Sequence, residues 1–220
     1  MKNFSAIIFD MDGVLVDSEP LHQRAFEALF AELGRKHDHG IVFSDYYGRS
    51  DKALLRDFID KHNIPHELED LTQRKLKYFL QYLREHRPIF KELHQLIPDL
   101  AARYKLAVAS SNFHCIIDVV LEISGLRPHF SAIVGQEDLR FVKPDPEVYF
   151  TAAKRLGVRP SQCCVIEDAT LGVQAAKMAG MTCIAITTSL PAETLQRADF
   201  IARDYAEVRR ILLSAPSKSA

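Results

Sequence analysis

The stretch Phe9-Asp10-Met11-Asp12-Gly13-Val14-Leu15-Val16-Asp17-Ser18 constrains this chain more than any other. It follows Ala6-Ile7-Ile8-Phe9, a short apolar run that reads as a buried strand. A strand this apolar suits a parallel sheet covered on both faces. Residues i and i+2 of an extended segment point the same way, so Asp10 and Asp12 can face one site. Gly13 then permits a turn that other residues resist. Carboxylates at the carboxyl end of a parallel strand lie where open α/β sheets bind ligands. Aspartate is also common in ordinary turns, so the motif alone leaves a solvated loop open as a reading.

The remainder of the chain alternates in a way that decides the fold class. A helix is expected to start with Ser18 as its cap and an early Pro20, and to run through an apolar face of Leu21, Ala25, Phe26, Leu29, Phe30 and Leu33 to Gly34. Ser50 is expected to cap a second helix carrying Ala53, Leu54, Phe58 and Ile59. Leu68, Leu71, Leu76, Phe79, Leu80 and Leu83 mark a third, ending before Pro88. Beyond it, strands at 106–110, 132–134, 163–166 and 182–186, and a short one at 199–201, alternate with helices at about 90–103, 113–125, up to Gly157, and up to Ala179. Such alternation implies right-handed crossovers and a parallel sheet. The expected architecture is α/β, a Rossmann-like doubly wound parallel sheet with an inserted small α-helical domain. The insert spans 17–86, and 1–16 with 87–220 form the core.

Composition narrows the function classes. With 28 basic and 29 acidic residues in 220, no strong field for nucleic acid or an anionic membrane is expected. No apolar run approaches a membrane span, and no signal peptide is expected, so the default location is the cytoplasm. Cys115, Cys163, Cys164 and Cys183 include no Cys-x-x-Cys pair and read as buried, reduced core residues. A monomer is expected.

Four strand ends carry polar side chains: Asp10 and Asp12; Ser110, Ser111 and Asn112; Lys143 in the loop after the third strand; and Glu167 with Asp168. In a parallel sheet these ends share one edge. Such groups suit phosphoryl transfer, which needs positioning and charge neutralisation. A carboxylate of this set can attack phosphorus and Asp12 can act as general acid and base. Ser110 and Lys143 can hold phosphoryl oxygens, and Asp10, Glu167 and Asp168 offer hard oxygens for Mg²⁺.

These motifs resemble the haloacid dehalogenase-like superfamily. The residues concerned are Asp10 to Ser18, Ser110 after its strand, Lys143-Pro-Asp-Pro-Glu-Val-Tyr149, and Val165-Ile-Glu-Asp168 continuing through Gly172-Val-Gln-Ala-Ala176. The similarity covers nearly the whole chain. It is greatest to the branch with a helical cap after the first motif, which includes sugar-phosphate phosphatases, phosphoglycolate phosphatases and β-phosphoglucomutase. The resemblance implies a phosphatase hydrolysing a small phosphorylated metabolite through an aspartyl-phosphate on Asp10. It implies Mg²⁺ held by Asp10, the Asp12 carbonyl and Asp168, with Glu167 bound or just behind. Two departures stand out. Ala169 replaces the usual Ser, which removes a hydroxyl near the metal, and Pro88-Ile89-Phe90 replaces a usual Pro-Gly.

Within the insert, His22 and Arg49 are the substrate-binding candidates beside Ser111 and Asn112 of the core. Lys75 and Lys77 read as a solvated face, and His37 and His39 are set aside as a metal pair. A phosphosugar mutase is the alternative enzyme. Mutase-like caps carry an arginine three positions after the turn glycine, and here Asp51 stands there. A phospho-accepting signalling domain is the alternative of another class, but such domains are about half this length and lack the insert.

Overall fold

The computed structural model describes residues 4–46 and 51–213. Ala6–Phe9 forms β1, and Lys105–Ala109 (β2), Ala132–Val134 (β3), Cys163–Glu167 (β4), Thr182–Ile186 (β5) and Phe200–Ala202 (β6) follow. All pairings are parallel, in the order β3-β2-β1-β4-β5-β6. β1, β2, β4 and β5 are buried almost throughout, which is why their sequences are continuous apolar runs rather than alternating ones. The strand order reverses at β1, between β2 and β4. Asp10 therefore leaves the sheet at the switch point, the place where open α/β sheets bind ligands.

Two compact units make up the chain. One comprises residues up to Asp17 together with those from Pro88 onward, and the other is Ser18–Arg87. In the first, Glu147–Leu156 (α6) and Thr170–Met178 (α7) pack on one face of the sheet, where Ala6, Ile8, Ala107, Val165 and Cys183 meet Tyr149, Ala152, Val173 and Ala176. Leu93–Ala101 (α4) and Tyr205–Leu213 (α8) pack against each other and against β2, β5 and β6. His114–Ser124 (α5) connects β2 to β3 and ends at Gly125, whose positive φ of 70° closes the helix. Among the described residues no helix is long and apolar enough to cross a membrane.

The second unit holds Glu19–Glu32 (α1), Asp51–His62 (α2) and Leu68–His86 (α3). Its core is Phe26, Leu29, Phe30, Leu54, Leu55, Phe58 and Leu71, with Phe30 stacked on Phe58 at 4.1 Å between ring centres. Arg87 ends α3 in the left-handed conformation before Pro88.

Several expectations are corrected. Ser18 occupies the N-cap position of α1 but makes no side-chain cap bond, and its carbonyl accepts the N–H of Leu21 and His22 instead. The turn 47–50, with the expected cap Ser50, lies outside the described residues. Helix α4 is shorter than expected and carries Pro98. α8 follows the last expected strand and buries Tyr205, Val208 and Leu212. Cys115 is exposed in the first turn of α5, not part of the core, because its helix buries Ile116, Ile117, Val119 and Val120 instead. None of the four cysteines is in a disulfide.

Candidate active site

The strand ends of the first unit converge on Lys143. Its ammonium donates to Asp10 Oδ1 and to Glu167 Oε1, both at 2.7 Å, and lies 5.2 Å from the centre of the Tyr149 ring. Burial works against the charge on Lys143, but the two carboxylates overcome it and hold the ammonium well above its ordinary value. Asp10 is pushed well above the usual carboxylate range, first by burial and then by Glu167, Asp168 and Asp12, with Lys143 pulling it back.

Glu167 is fully buried at the end of β4, and all four of its acceptor positions are used. Oε1 accepts from Lys143 and from the Tyr149 hydroxyl at 2.9 Å, while Oε2 accepts the N–H groups of Asp168 and Ala169, both at 2.9 Å. The latter two place a carboxylate at the N-terminus of α7, where the helix dipole favours it. Ala169 is the N-cap and supplies no side-chain bond. This seat depends on Gly172. A Cβ there would lie 1.5 Å from Glu167 Oε1. In an ordinary helix Gly→Ala stabilises, but here the sign should reverse. Gly172→Ala is expected to destabilise the protein by about 1–3 kcal/mol and to lower turnover. Urea unfolding and initial rates test this, and an unchanged or raised unfolding midpoint would contradict the packing argument.

Asp12 is half-buried, and its Oδ2 accepts a short bond from Asn112 Nδ2. Asn112 in turn donates its backbone N–H and its amide to Ser110 Oγ, at 3.1 and 3.3 Å. Asn112 therefore links the first and second strand ends, a role the sequence did not reveal. Ser110 is buried and Ser111 half-buried at the same edge. Asp168 is raised to about 7, mainly by burial and the charge of Glu167, with a hydrogen bond from Ser189 opposing. Ser189 lies outside the sequence motifs. Oxygens of Asp10, Glu167 and Asp168 lie within 4.8 Å of one another. This buried cluster of hard oxygen donors holds more carboxylates than ammonium groups. A small divalent cation such as Mg²⁺ fits it.

In the second unit His22 and Lys75 form a cluster of their own. Lys75 is 2% exposed, not on a solvated face. Its ammonium lies 2.6 Å from Asp51 Oδ2 and 2.6 Å from His22 Nδ1, and it sits over the Phe26 and Phe79 rings. Burial first, then Lys75, lowers His22 to about 3. Since Lys75 donates to Nδ1, the proton of the neutral ring belongs on Nε2. Nitrogen-detected NMR should show His22 neutral from pH 8 down to about 4.5, against an ordinary titration near 6.5. A midpoint near 6.5 would contradict the cluster. A lowered histidine contributes its full stability above about 6.5 and loses it as pH falls toward 3. Arg49 lies outside the described residues. His37 is exposed, and the His39 ring instead accepts the Ile41 N–H.

The haloacid dehalogenase-like hydrolase model matches residues 7–186. The chain belongs to that family. Several of its named relatives are phosphatases. The chain is 31% identical to a validoxylamine A 7′-phosphate phosphatase of Streptomyces hygroscopicus subsp. limoneus, over 94% of this chain and 96% of the relative. It is 28% identical to the fructose-1-phosphate phosphatase YqaB of Escherichia coli, over 83% and 96%. Among solved structures it is similar to a putative β-phosphoglucomutase from Thermotoga maritima, with a TM-score of 0.82, 26% identity, and coverage of 98% of this chain and all of the other. The family membership and the α/β core expected from the motifs are thus established.

Proposed function

We propose that this protein is a Mg²⁺-dependent phosphatase acting on a small phosphorylated metabolite, a sugar phosphate or close analogue. The observation that carries this reading is Lys143 bridging Asp10 and Glu167 at the strand edge, with Asp168 beside them. The phosphatase relatives support the substrate class.

Asp10 attacks phosphorus, the bond from phosphorus to the leaving oxygen breaks, and an aspartyl-phosphate forms. Asp12 gives its proton to the leaving oxygen, then takes one from the water that cleaves the acyl phosphate and regenerates Asp10. Asn112, bonded to Asp12, orients it for both transfers. Ser110, Ser111 and Lys143 hold phosphoryl oxygens. Asp10 and Asp168, with the Asp12 carbonyl, would hold the Mg²⁺. Glu167 has its acceptor positions filled and acts behind them, positioning Lys143. The ion supplies neutralisation of negative charge on the phosphoryl group.

In the same reading the unit Ser18–Arg87 is a cap that selects the substrate, with His22 and Arg49 contributing, and the enzyme is a cytoplasmic monomer. A mutase is the second reading, favoured by the structural similarity to a putative β-phosphoglucomutase. Against it, Lys75 is already paired with Asp51, so this buried cation is not spare for a distal phosphate.

Phosphate release from a panel of sugar phosphates, with Mg²⁺ and with excess chelator, tests the proposal. Turnover with Mg²⁺ and none in chelator is expected, with Ca²⁺ inhibitory because it tolerates longer, looser coordination. Full activity in chelator would exclude the metal. Efficient conversion of β-glucose 1-phosphate, with a trace of its 1,6-bisphosphate, to glucose 6-phosphate without phosphate release would favour the mutase.

A further inference from the structure

The loop after β5 reads in sequence as a polar turn, Thr187-Thr188-Ser189-Leu190, and none of the motifs includes it. In the structure it is tied at two points. The Thr187 N–H donates to the Ala202 carbonyl at 3.0 Å, which continues the sheet toward β6. The Thr188 hydroxyl donates to the Gly13 carbonyl at 2.5 Å, which joins the loop to the turn after β1. Ser189 follows directly, and its hydroxyl oxygen lies beside the Asp168 carboxylate against Gly13.

The meeting point is the bare Cα of Gly13. A Cβ on Gly13 would lie 1.9 Å from Asp168 Oδ2 and 2.4 Å from Ser189 Oγ. Both groups therefore occupy the space that a side chain at position 13 would fill, and the positive φ of 65° at Gly13 opens that space. Ala169, next to Asp168, has no hydroxyl to offer. The charged groups acting on Asp168 include Glu167 and Asp12, which repel it, and Lys143, which Asp10 and Glu167 already hold. A neutral donor that fixes the carboxylate from a third strand end has a clear physical use there.

We propose that Ser189 is a positioning residue for Asp168 and, through it, sets how tightly the strand-end carboxylates hold a divalent cation. This rests on the Mg²⁺ reading above. Partners that orient a metal-binding carboxylate are worth about 10- to 100-fold in affinity when removed. Ser189 is exposed, which puts the expected effect at the lower end of that range.

The test is calorimetric titration of Mg²⁺ into the substrate-free protein, for wild type, Ser189→Ala and Ser189→Thr, with urea unfolding of each in parallel. Ser189→Ala should bind Mg²⁺ about tenfold more weakly with its unfolding midpoint unchanged, and Ser189→Thr, which keeps the hydroxyl, should bind like wild type. Equal affinity in wild type and Ser189→Ala would overturn the assignment of Ser189 alone. Equal weakening in Ser189→Ala and Ser189→Thr would also overturn it, because packing rather than the hydroxyl would then be responsible. A wild-type protein that takes up no Mg²⁺ would remove the metal reading itself, and this inference with it.

Discussion

Asp10→Asn is expected to fold as the wild type does and to lose turnover by about 10⁴-fold or more, the scale seen when a covalent nucleophile is removed. The amide keeps the volume at the end of β1 but cannot form an acyl phosphate. Stability should not fall, because burial and three neighbouring carboxylates already disfavour the charge on Asp10. Lys143 retains Glu167 as a partner at 2.7 Å. Steady-state rates and a thermal melt on one preparation check both halves. Activity within about tenfold of wild type would show that another group attacks phosphorus.

Lys143→Ala should be the most destabilising single change in the site. It removes the ammonium that bridges Asp10 and Glu167, whose side chains are 11% and 0% exposed. Breaking a buried pair on one side costs about 3–5 kcal/mol, because the partners are left charged and dry. In chelator, the raised Asp10 and Asp168 would rise further without Lys143. A carboxyl raised in the folded state contributes stability below its unfolded value and loses it as pH climbs through the folded value. The deficit should therefore be larger at pH 8 than at pH 5. Urea unfolding in chelator at both pH values is the measurement. A deficit under about 1 kcal/mol, typical of an exposed pair, would contradict the buried bridge.

The parts of this protein that its sequence revealed are those encoded locally. β1 and Asp10–Gly13 stand out because an apolar run meets two carboxylates and a glycine within a few residues, and β2 and β4 likewise pass straight from apolar runs into polar side chains. What stayed hidden depends on distant partners. Lys75 reads as a surface lysine on an amphipathic helix, yet its partners lie 24 and 53 residues away in Asp51 and His22. The bond from Asn112 to Asp12 spans 100 residues. Ser189 sits in a turn whose composition says only that it is polar. Helix α8 left a readable trace in Tyr205, Val208 and Leu212, whose spacing fits one helical face.

The central claim is that Asp10 carries the phosphoryl group. Asp12→Ala should still accept phosphate from a substrate with a good leaving group, such as 4-nitrophenyl phosphate, because protonation of that leaving oxygen matters little. It should release phosphate slowly, because no base activates water. Acid quenching of this variant with Mg²⁺ and 4-nitrophenyl phosphate, followed by peptide mass spectrometry, tests the claim directly. The account predicts one phosphoryl group, labile to hydroxylamine, on the peptide bearing Asp10. A phosphoryl group on another residue, or steady release of phosphate with none bound to the protein, would contradict it.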